Sequence, residues 1–524
     1  MPAPPPARLT PAPPLAGGTQ GTHALRPLID IALNALARGA TARGGPLPTG
    51  GPHTVAARIR ATATPLLPED GTGADEALHT LLQALAEGAA DPADPRCAAH
   101  LHSPPLALAA AADLAVSALN PSLDSWDQSP SATALEALTT HTLAALAYPT
   151  RPAPDALVTT GGTESNQLAL LLAREAPQGR TPGAADEPPP GIPAAREATH
   201  GNAPVATGGS AAPVGPCGPG PRARTATPAP AAPAAALRVV CGANAHHSIH
   251  RSAWLLGLPA PEVLPTPSGV LHPDDLRAAL ARPHPGPTLV VATAGTTDTG
   301  RIDPLPALAD LCDTHGARLH VDAAYGGPLL FSDTLKPALT GLERAHTVAL
   351  DLHKLGWQPV AAGLLAVPDT ADLRPLAHRA DYLNPADDTE AGLPDLLHRS
   401  LRTTRRPDIV KIAVTLRALG RRGIAALVEH VCANAQHLAD LIEAHPALEL
   451  HSRPTISTVL FRPIGADAHT TARTRRRLLH TGHAVLGRAT TPQGLWLKAT
   501  LLNPHTRPDD LRHLLTLVEG HTTR

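Results

Sequence analysis

Aromatic residues are scarce in this chain: Phe, Trp and Tyr make up 2% of its 524 residues, whereas proline occurs 60 times. Its hydrophobic core must therefore be built from Leu, Val, Ile and Ala. Single cores stop growing at roughly 250–300 residues, so a chain of this length should contain at least two domains.

The sequence also lacks a large excess of one charge. It has 43 basic and 45 acidic residues, which gives a formal net charge of −2. A nearly neutral balance gives no indication of binding to nucleic acid or to an anionic membrane surface. We therefore expect the partners to be small molecules or other proteins.

Cysteine is rare, and neither a secretion signal nor a membrane span is evident. The five cysteines are Cys97, Cys217, Cys241, Cys312 and Cys432. None forms a CxxC spacing, which favours reduced thiols over disulfides or a zinc site. The N-terminus has no basic region followed by an apolar one, and the most apolar stretch, 106–119, is short and contains Asp113. These features predict a soluble cytoplasmic protein.

Two stretches are rich in Pro, Gly and Ala and show no sustained periodicity. Residues 1–50 predict a low-complexity, largely disordered tail, and residues 174–236 predict a surface insertion. Patterned sequence elsewhere divides into three parts. We expect an N-terminal helical segment at 51–128, a large domain at 129–405 that contains the insertion, and a small α+β domain at 406–524.

Short apolar strands alternate with helical segments between residues 156 and 366. "DALVTT" precedes "GGTESNQLALLLARE", and "TLVVATAG" precedes "DPLPALADLCDTHG". This alternation predicts an α/β fold with a mainly parallel sheet flanked by helices. Ligands of such sheets bind at the carboxyl ends of the strands.

Chemically useful residues follow several of these strands. Gly161 and Gly162 precede a helix whose free N–H groups suit a phosphate, although an ordinary turn is the alternative. Asp322 ends a buried strand and should have a partner, although it could be a helix cap. Lys354 follows another strand, where lost hydration would make it a nucleophile, although a surface lysine is the alternative.

Histidines add a fourth component. His246 lies in "NAHHSIH", with neither the carboxylates nor the cysteines that usually accompany a metal site, so we expect no metal. Together, a phosphate-binding turn, an acid, a histidine and a lysine at the ends of one sheet are the parts that pyridoxal 5′-phosphate requires. The combination predicts this cofactor more strongly than any single residue does.

The chain resembles the group II pyridoxal-phosphate-dependent amino-acid decarboxylases. The motifs that carry the resemblance are "TTGGTESNQLALLLARE", "AHHSIHRSAWLLGL", "LHVDAAYGG" and "HTVALDLHKLGWQPVAAGLL", in this order. Further matches make the chain similar to the branch of L-2,4-diaminobutyrate decarboxylases and siderophore-pathway lysine decarboxylases. The resemblance covers about residues 55–520 without the insertion. It implies a fold-type-I enzyme, a homodimer, and release of CO₂ from an L-amino acid, most plausibly a diamino acid.

The resemblance also implies roles for individual residues. Lys354 would form the Schiff base with the cofactor, Asp322 would pair with the pyridinium nitrogen, and His246 and Ala324 would pack on the two ring faces. Thr296 would lie near the ring hydroxyl. Positions around the phosphate would be Gly162, Thr163, Glu164, Thr347 and His353. Candidate substrate-pocket residues are His100, His102 and Ser103.

One expected residue has no counterpart. Many relatives protonate the substrate carbon with a tyrosine of a mobile loop, but an ungapped match places Leu396 there, and Tyr382 resembles a structural position. The donor could be His246 or a residue of a partner subunit. Oxidative deamination to an aldehyde and a non-catalytic cofactor-binding homologue therefore remain alternatives, and the sequence does not distinguish diaminobutyrate, ornithine and lysine.

Overall fold

Two β-sheets organise the protein, and helices cover the larger one. The computed structural model describes residues 13–176, 236–378, 380, 383 and 385–522. The α-helices are α1 (Gly21–Arg43), α2 (Gly51–Ala63), α3 (Ala74–Gly88), α4 (Ala107–Leu119), α5 (Pro130–Ala147), α6 (Gly162–Glu175), α7 (Ser248–Leu255), α8 (Pro273–Leu280), α9 (Leu305–His315), α10 (Leu352–Leu355), α11 (Ala386–Glu390), α12 (Ile409–Glu443), α13 (Ala468–His480) and α14 (Pro508–Thr522). The strands are β1 (Cys97–Ala98), β2 (Asp155–Thr159), β3 (Arg238–Gly242), β4 (Glu262–Leu264), β5 (Thr288–Thr293), β6 (Arg318–Ala323), β7 (Thr347–Asp351), β8 (Gly363–Val367), β9 (Leu448–Leu450), β10 (Thr458–Pro463), β11 (Val485–Thr491) and β12 (Gly494–Thr500).

The larger sheet has seven strands in the order β2-β8-β7-β6-β5-β3-β4. Five neighbouring strands, from β7 to β4, are parallel, and β8 runs antiparallel to both β7 and β2. Strand β7 and strand β8 are buried at every residue, as expected where helices cover both faces of a sheet. The predicted α/β architecture with a mainly parallel sheet is confirmed, and the carboxyl ends of β2, β3, β5, β6 and β7 share one edge.

The smaller sheet has five strands in the order β1-β11-β12-β10-β9. Its apolar face packs against α13, α14 and the second half of α12, where Leu478, Leu514 and Leu438 are buried. Strand β1, which precedes the large sheet in the chain, pairs in parallel with β11. Residues 97–98 thus connect the N-terminal segment to the C-terminal sheet.

The prediction of disorder for residues 1–50 is wrong for residues 21–43, which form α1. This helix packs closely on α3: a Cβ at Gly39 would lie 2.4 Å from the carbonyl oxygen of Gln83. Arg43 fixes the pair by donating to the carbonyl of Ala86 at 2.8 Å. Alanine and glycine suggested a tail by composition, but here they let two helix backbones approach. Residues 1–12 and most of the predicted insertion lie outside the described residues.

Membrane insertion finds no support in the helices. No helix within the described ranges is long and apolar enough to cross a membrane.

The four described cysteines are free, and burial raises the pKa of the Cys241 thiol to about 11, which keeps it protonated and unreactive. Cys217 lies outside the described residues.

Candidate active site

A cavity of about 360 Å³ opens where the parallel strands end, within the size range of small-molecule sites. Every strand whose carboxyl end was predicted to carry chemistry contributes to its wall. The lining residues are Leu101, Thr160, Gly161, Gly162, Thr163, Asn244, His246, Thr293, Gly295, Thr297, Asp322, Ala324, Tyr325, Asp351, His353 and Lys354.

Lys354 is the lysine of this cavity, and the chain has only four lysines in all. Lys336 forms an exposed ion pair with Asp333, and Lys411 is buried between Asp113 and Asp408. Lys498 belongs to the smaller sheet. Lys354 is therefore the amine that lines the cavity, with a side chain that is 18% exposed.

Beside Lys354 lies a carboxylate, Asp351, that the sequence did not assign to the site. Asp351 Oδ2 is 2.9 Å from Lys354 Nζ and 3.5 Å from His353 Nε2. Its Oδ1 atom is buried without a hydrogen-bond partner among the described residues, as is His353 Nδ1. Burial lowers the pKa of His353, so the ring is neutral near pH 7.

The double-glycine turn faces these two side chains. A Cβ at Gly161, whose φ is +153°, would lie 2.9 Å from His353 Cε1. A Cβ at Gly162 would lie 2.9 Å from the Cβ of Ala324 and 3.3 Å from Asp351 Oδ2. Only residues without a Cβ fit this close approach, so the first turn of α6 presents backbone N–H groups to the cavity.

The two predicted residues that follow the glycines separate in the structure. Thr163 lines the cavity. Glu164 does not; its carboxylate accepts hydrogen bonds from the backbone N–H of Thr160 at 2.6 Å and from the Thr160 hydroxyl at 2.8 Å. Its other oxygen lies 3.4 Å from Arg402. Glu164 thus holds the shape of the turn instead of facing a ligand.

Asp322, on the strand next to that of Asp351, also lines the cavity, and both of its oxygens accept hydrogen bonds. Its Oδ2 accepts from Asn166 Nδ2 at 2.8 Å, and its Oδ1 accepts from the backbone N–H of Ala324 at 3.1 Å. The carboxylate is 6% exposed. Both carboxylate oxygens are fixed by donors from the protein, so the position of Asp322 in the cavity wall is fixed.

His246 is joined to the same network. Its Nδ1 lies 2.8 Å from Ser248 Oγ, and Ser248 Oγ accepts from Asn166 Nδ2 at 2.8 Å. Burial lowers the pKa of His246, which favours the neutral ring. Asn166 and Ser248 are fully buried. The network therefore links two residues that the sequence predicted separately.

A second histidine, His320, forms a hydrogen bond with the side chain of Asn166. His320 Nε2 lies 2.8 Å from Asn166 Oδ1, and His320 Nδ1 lies 2.8 Å from the hydroxyl of Thr347. Burial lowers the pKa of His320 to about 4. The ring is therefore neutral at physiological pH and can donate through only one nitrogen.

Two predicted threonines lie elsewhere than expected. Thr347 is at the start of β7, not at its carboxyl end, and its hydroxyl bonds His320, so it does not line the cavity. Thr296 bonds the Thr299 hydroxyl and the backbone N–H of Arg301. Its neighbour Thr297 lines the cavity instead. The sequence places both segments correctly but does not reveal which side chain faces inward.

The predicted pocket stretch, residues 99–105, approaches the cavity with a different residue. His100 and His102 are exposed in the single chain, whereas Leu101 lines the cavity. Ser103 is buried and donates to the carbonyl oxygen of His353 at 2.9 Å. Ser103 therefore fixes the backbone beside Lys354.

A further cation lies beside the cavity. Lys498 donates to the carbonyl oxygen of Thr297 at 3.1 Å and lies 3.4 Å from Asp298 Oδ1. Since Thr297 lines the cavity, the Lys498 ammonium approaches it from the smaller sheet. Leu396, at the position expected for the loop tyrosine, is buried and has no acidic proton to donate. Tyr382 lies outside the described residues.

Sequence reasoning missed Asn166, Ser248 and His320. Asn166 and His320 are 154 residues apart in the chain, and Asn166 and Ser248 are 82 apart. Asn166 and Ser248 belong to quoted motifs, and His320 lies two residues before Asp322. Buried polar residues next to a predicted acid were the available signal.

Comparison with known proteins gives one consistent family. A profile described as the pyridoxal-dependent decarboxylase conserved domain matches residues 221–464. The L-2,4-diaminobutyrate decarboxylase of Rhizobium meliloti (strain 1021) is 38% identical over 470 residues, which cover 87% of this chain and 84% of the relative. The L-2,4-diaminobutyrate decarboxylase of Acinetobacter baumannii is 30% identical over 476 residues, covering 87% and 85%.

A solved structure matches over nearly the whole chain. It is the glutamate decarboxylase domain of a diaminobutyrate-pyruvate transaminase and L-2,4-diaminobutyrate decarboxylase from Vibrio parahaemolyticus. The TM-score is 0.77 at 27% identity, and the match covers 97% of each chain. The likeness extends over both sheets and all the strand ends that form the cavity.

Proposed function

Since the chain belongs to the pyridoxal-dependent decarboxylase family and is a carboxy-lyase that uses pyridoxal 5′-phosphate, we propose that its substrate is an L-diamino acid. The candidates are 2,4-diaminobutyrate, ornithine and lysine. The observation that carries this proposal is the identity of 38% and 30% to two L-2,4-diaminobutyrate decarboxylases over 87% of the chain.

The cavity fits the cofactor. Beside Asp351 it has backbone N–H groups at the start of α6, which suit a phosphate, and Asp351 itself pairs with the Lys354 amine at 2.9 Å. At Asp322 it has a hydrogen-bonded carboxylate, which suits a protonated ring nitrogen. The Lys354 amine lies in the same wall. When bound, the cofactor supplies a ring that accepts the electron pair left as CO₂ departs.

The residues of the chain would then divide the work. The Lys354 amine would bond the cofactor covalently and yield that bond to the substrate amine. Asp322 would hold the proton on the ring nitrogen, and Ala324 and His246 would pack against the ring. Gly162 and Thr163 would hold the phosphate. Glu164 and Ser103 would keep the turn and the Lys354 backbone in place.

Lys498 is the proposed partner of the substrate carboxylate. It is a side-chain cation that contacts a cavity-lining residue from the smaller sheet, at 3.1 Å from the Thr297 carbonyl. A carboxylate that enters the cavity would meet its ammonium. A distal ammonium could pair with Asp298, 3.4 Å from Lys498, or with Glu449, which lines the adjoining cavity of about 910 Å³ and already pairs with Arg462 at 2.6 Å.

One observation favours a second reaction. Leu396 cannot protonate the substrate carbon, so a chain without the loop tyrosine could release an aldehyde through oxidative deamination. The test incubates the cofactor-loaded protein with a panel of L-amino acids and quantifies CO₂, amine, aldehyde and H₂O₂. We expect CO₂ and amine in equal amounts from a diamino acid. Aldehyde with H₂O₂ as the main products would overturn decarboxylation to the amine, and absence of all products would favour a non-catalytic homologue.

The proposed assembly is a homodimer. Helices α1 and α3 expose apolar side chains in the single chain: Leu33 is 59% and Leu85 is 58% exposed. A second copy would cover this face. Light scattering after gel filtration should give twice the chain mass, and Leu85→Glu should shift it toward the monomer. Leu67→Glu, at a 92% exposed position outside these helices, is the control, and a monomeric wild-type protein would contradict the proposal.

A further inference from the structure

A chain of hydrogen bonds beneath the cavity joins Asp322 to His246. Asn166 lies at its centre, because its amide nitrogen donates to both Asp322 Oδ2 and Ser248 Oγ at 2.8 Å. Ser248 Oγ in turn lies 2.8 Å from His246 Nδ1. Asn166 and Ser248 are fully buried, so water does not compete for these bonds.

One arrangement of the protons satisfies every donor and acceptor in this chain. His320 Nε2 faces Asn166 Oδ1, an atom that only accepts, so neutral His320 carries its proton on Nε2. The opposite amide orientation would aim Asn166 Oδ1 at the Asp322 carboxylate, which has no proton to give. Both Asn166 amide protons are then used, and Ser248 Oγ accepts one of them.

The hydroxyl proton of Ser248 is thereby left for His246. Its acceptor is His246 Nδ1, which also receives the backbone N–H of Ser248 at 3.4 Å. A nitrogen that two donors face keeps its lone pair, so the ring proton belongs on Nε2. His246 Nε2 makes no hydrogen bond to another residue in the described part of the chain, and the ring lines the cavity.

We propose that Asn166 and Ser248 are positioning residues that hold His246 as the neutral tautomer with its proton on Nε2. The ring then offers an N–H donor to an anionic group in the cavity, such as the substrate carboxylate. To act as a general acid, His246 would need a second proton on Nδ1, where two donors already point. The use of this donor rests on the proposed function, whereas the tautomer itself does not.

The experiment records ring ¹⁵N resonances of the full-length protein labelled with [¹⁵N]histidine, with and without bound cofactor. The His246 signals are assigned by their loss in His246→Gln. We expect Nε2 in the protonated range and Nδ1 in the unprotonated range at pH 7.5. In Ser248→Ala the hydroxyl donor is lost, and both signals should move to intermediate positions that indicate mixed tautomers. Catalytic turnover should fall by roughly 10–100-fold, the range known for residues that hydrogen-bond a metal-binding histidine.

Ser252→Ala is the matched control, because Ser252 is also buried on α7 but donates to the Ser248 carbonyl and lies outside the hydrogen-bond chain. It should leave the His246 signals unchanged. Asn166→Ala should reproduce the mixed tautomers by freeing the Ser248 hydroxyl. A protonated Nδ1 in the wild-type protein would overturn the proposal even if neither the Ser248 nor the Asn166 variant folds. The spectra require no turnover, so absence of CO₂ release would contradict the proposed function without changing this result.

Discussion

The two carboxylates of the cavity, Asp322 and Asp351, differ in how completely their oxygens are paired. Around Asp322, Asn166, Ser248 and His320 have all their buried side-chain nitrogen and oxygen atoms in hydrogen bonds. Around Asp351, one oxygen of Asp351 and one nitrogen of His353 are buried without a partner within the part of the chain that the structure describes. A buried polar atom without a partner costs stability. Asp322 is therefore held in place together with Asn166, Ser248 and His320, whereas Asp351 and His353 each keep one buried atom unpaired.

This contrast matches the chemistry that each region must perform. A carboxylate that holds a ring proton must keep its charge and direction throughout turnover, and a rigid network provides both. An anion site at a helix start instead exchanges its partners when the ligand binds. Lys354 lies between the two regions, ion-paired to Asp351 at 2.9 Å.

The largest expected effect is at Asp322. Asp322→Asn retains the shape but keeps only one of the two acceptor oxygens, and it removes the negative charge. We expect the turnover number to fall by roughly 10²–10³-fold, the scale of losing one preorganised electrostatic group. Steady-state CO₂ release at saturating cofactor measures it, with circular dichroism to verify folding. Turnover within a few-fold of wild type would contradict the role of the charge.

The network should also make stability depend on pH. Burial lowers the pKa of His320 to about 4 from an ordinary value of 6.5. Between these values the unfolded chain binds a proton that the folded chain does not, so stability is full above pH 6.5 and falls as the pH drops toward 4. The free energy of unfolding should fall by up to about 3 kcal/mol over this range because of His320.

Urea unfolding at pH 7 and pH 5 tests this expectation. His320→Gln can still donate to Asn166 but cannot titrate, so the loss between the two pH values should be smaller than in wild type. His315→Gln, at an exposed position at the end of α9, is the control and should keep the wild-type slope. An unchanged slope in His320→Gln would mean that His320 is not held neutral.

A smaller effect is expected at Asp351. Asp351→Asn keeps the side-chain shape and removes the carboxylate that holds the Lys354 ammonium. The amine should then react with the cofactor faster, by about tenfold, because a hydrogen bond to a charged group contributes about 1.5–3 kcal/mol. The absorbance change after mixing cofactor with cofactor-free protein gives the rate.

The control for this rate is Asp333→Asn, which removes the carboxylate beside the surface Lys336. It should not change the rate. A slower reaction in Asp351→Asn would show that the carboxylate assists the amine instead of restraining it.

The smallest effect is expected at Thr347, which the sequence placed near the phosphate but whose hydroxyl bonds His320. Thr347→Val removes the donor to His320 Nδ1 and should lower the free energy of unfolding by about 1 kcal/mol. Cofactor affinity should not change, because Thr347 does not line the cavity. Thr163→Val, at the cavity wall, should weaken cofactor binding instead. Unfolding curves and cofactor titrations of both variants would reveal the reverse pattern if the assignment is wrong.

The sequence predicted the elements better than the contacts between them. The alternation of apolar and helical segments was sufficient to predict a mainly parallel sheet with Lys354, Asp322 and His246 after its strands. The antiparallel β8 was not predicted, because a fully buried strand has the same pattern in either direction. Helix α1 was missed because its small residues, such as Gly39, suggested disorder by composition.

The remaining gaps concern side-chain direction. Thr296 and Thr297 are adjacent and identical, so no pattern shows that Thr297 lines the cavity. Asn166, Ser248 and His320 come from three separate segments, and their bonds exist only once the sheet has formed. A hydrogen-bond network is a property of the folded chain, so single-sequence reasoning reaches its members only as neighbours of predicted residues.

Whether Lys354 carries the cofactor can be tested directly, because the chain has only four lysines. The cofactor-loaded protein is reduced with borohydride, digested and analysed by mass spectrometry, with Lys354→Ala as the control. We expect one cofactor-sized adduct, on the peptide that contains Lys354, and no adduct in the variant. An adduct on Lys336, Lys411 or Lys498 of the wild-type protein, or no adduct at all, would contradict it.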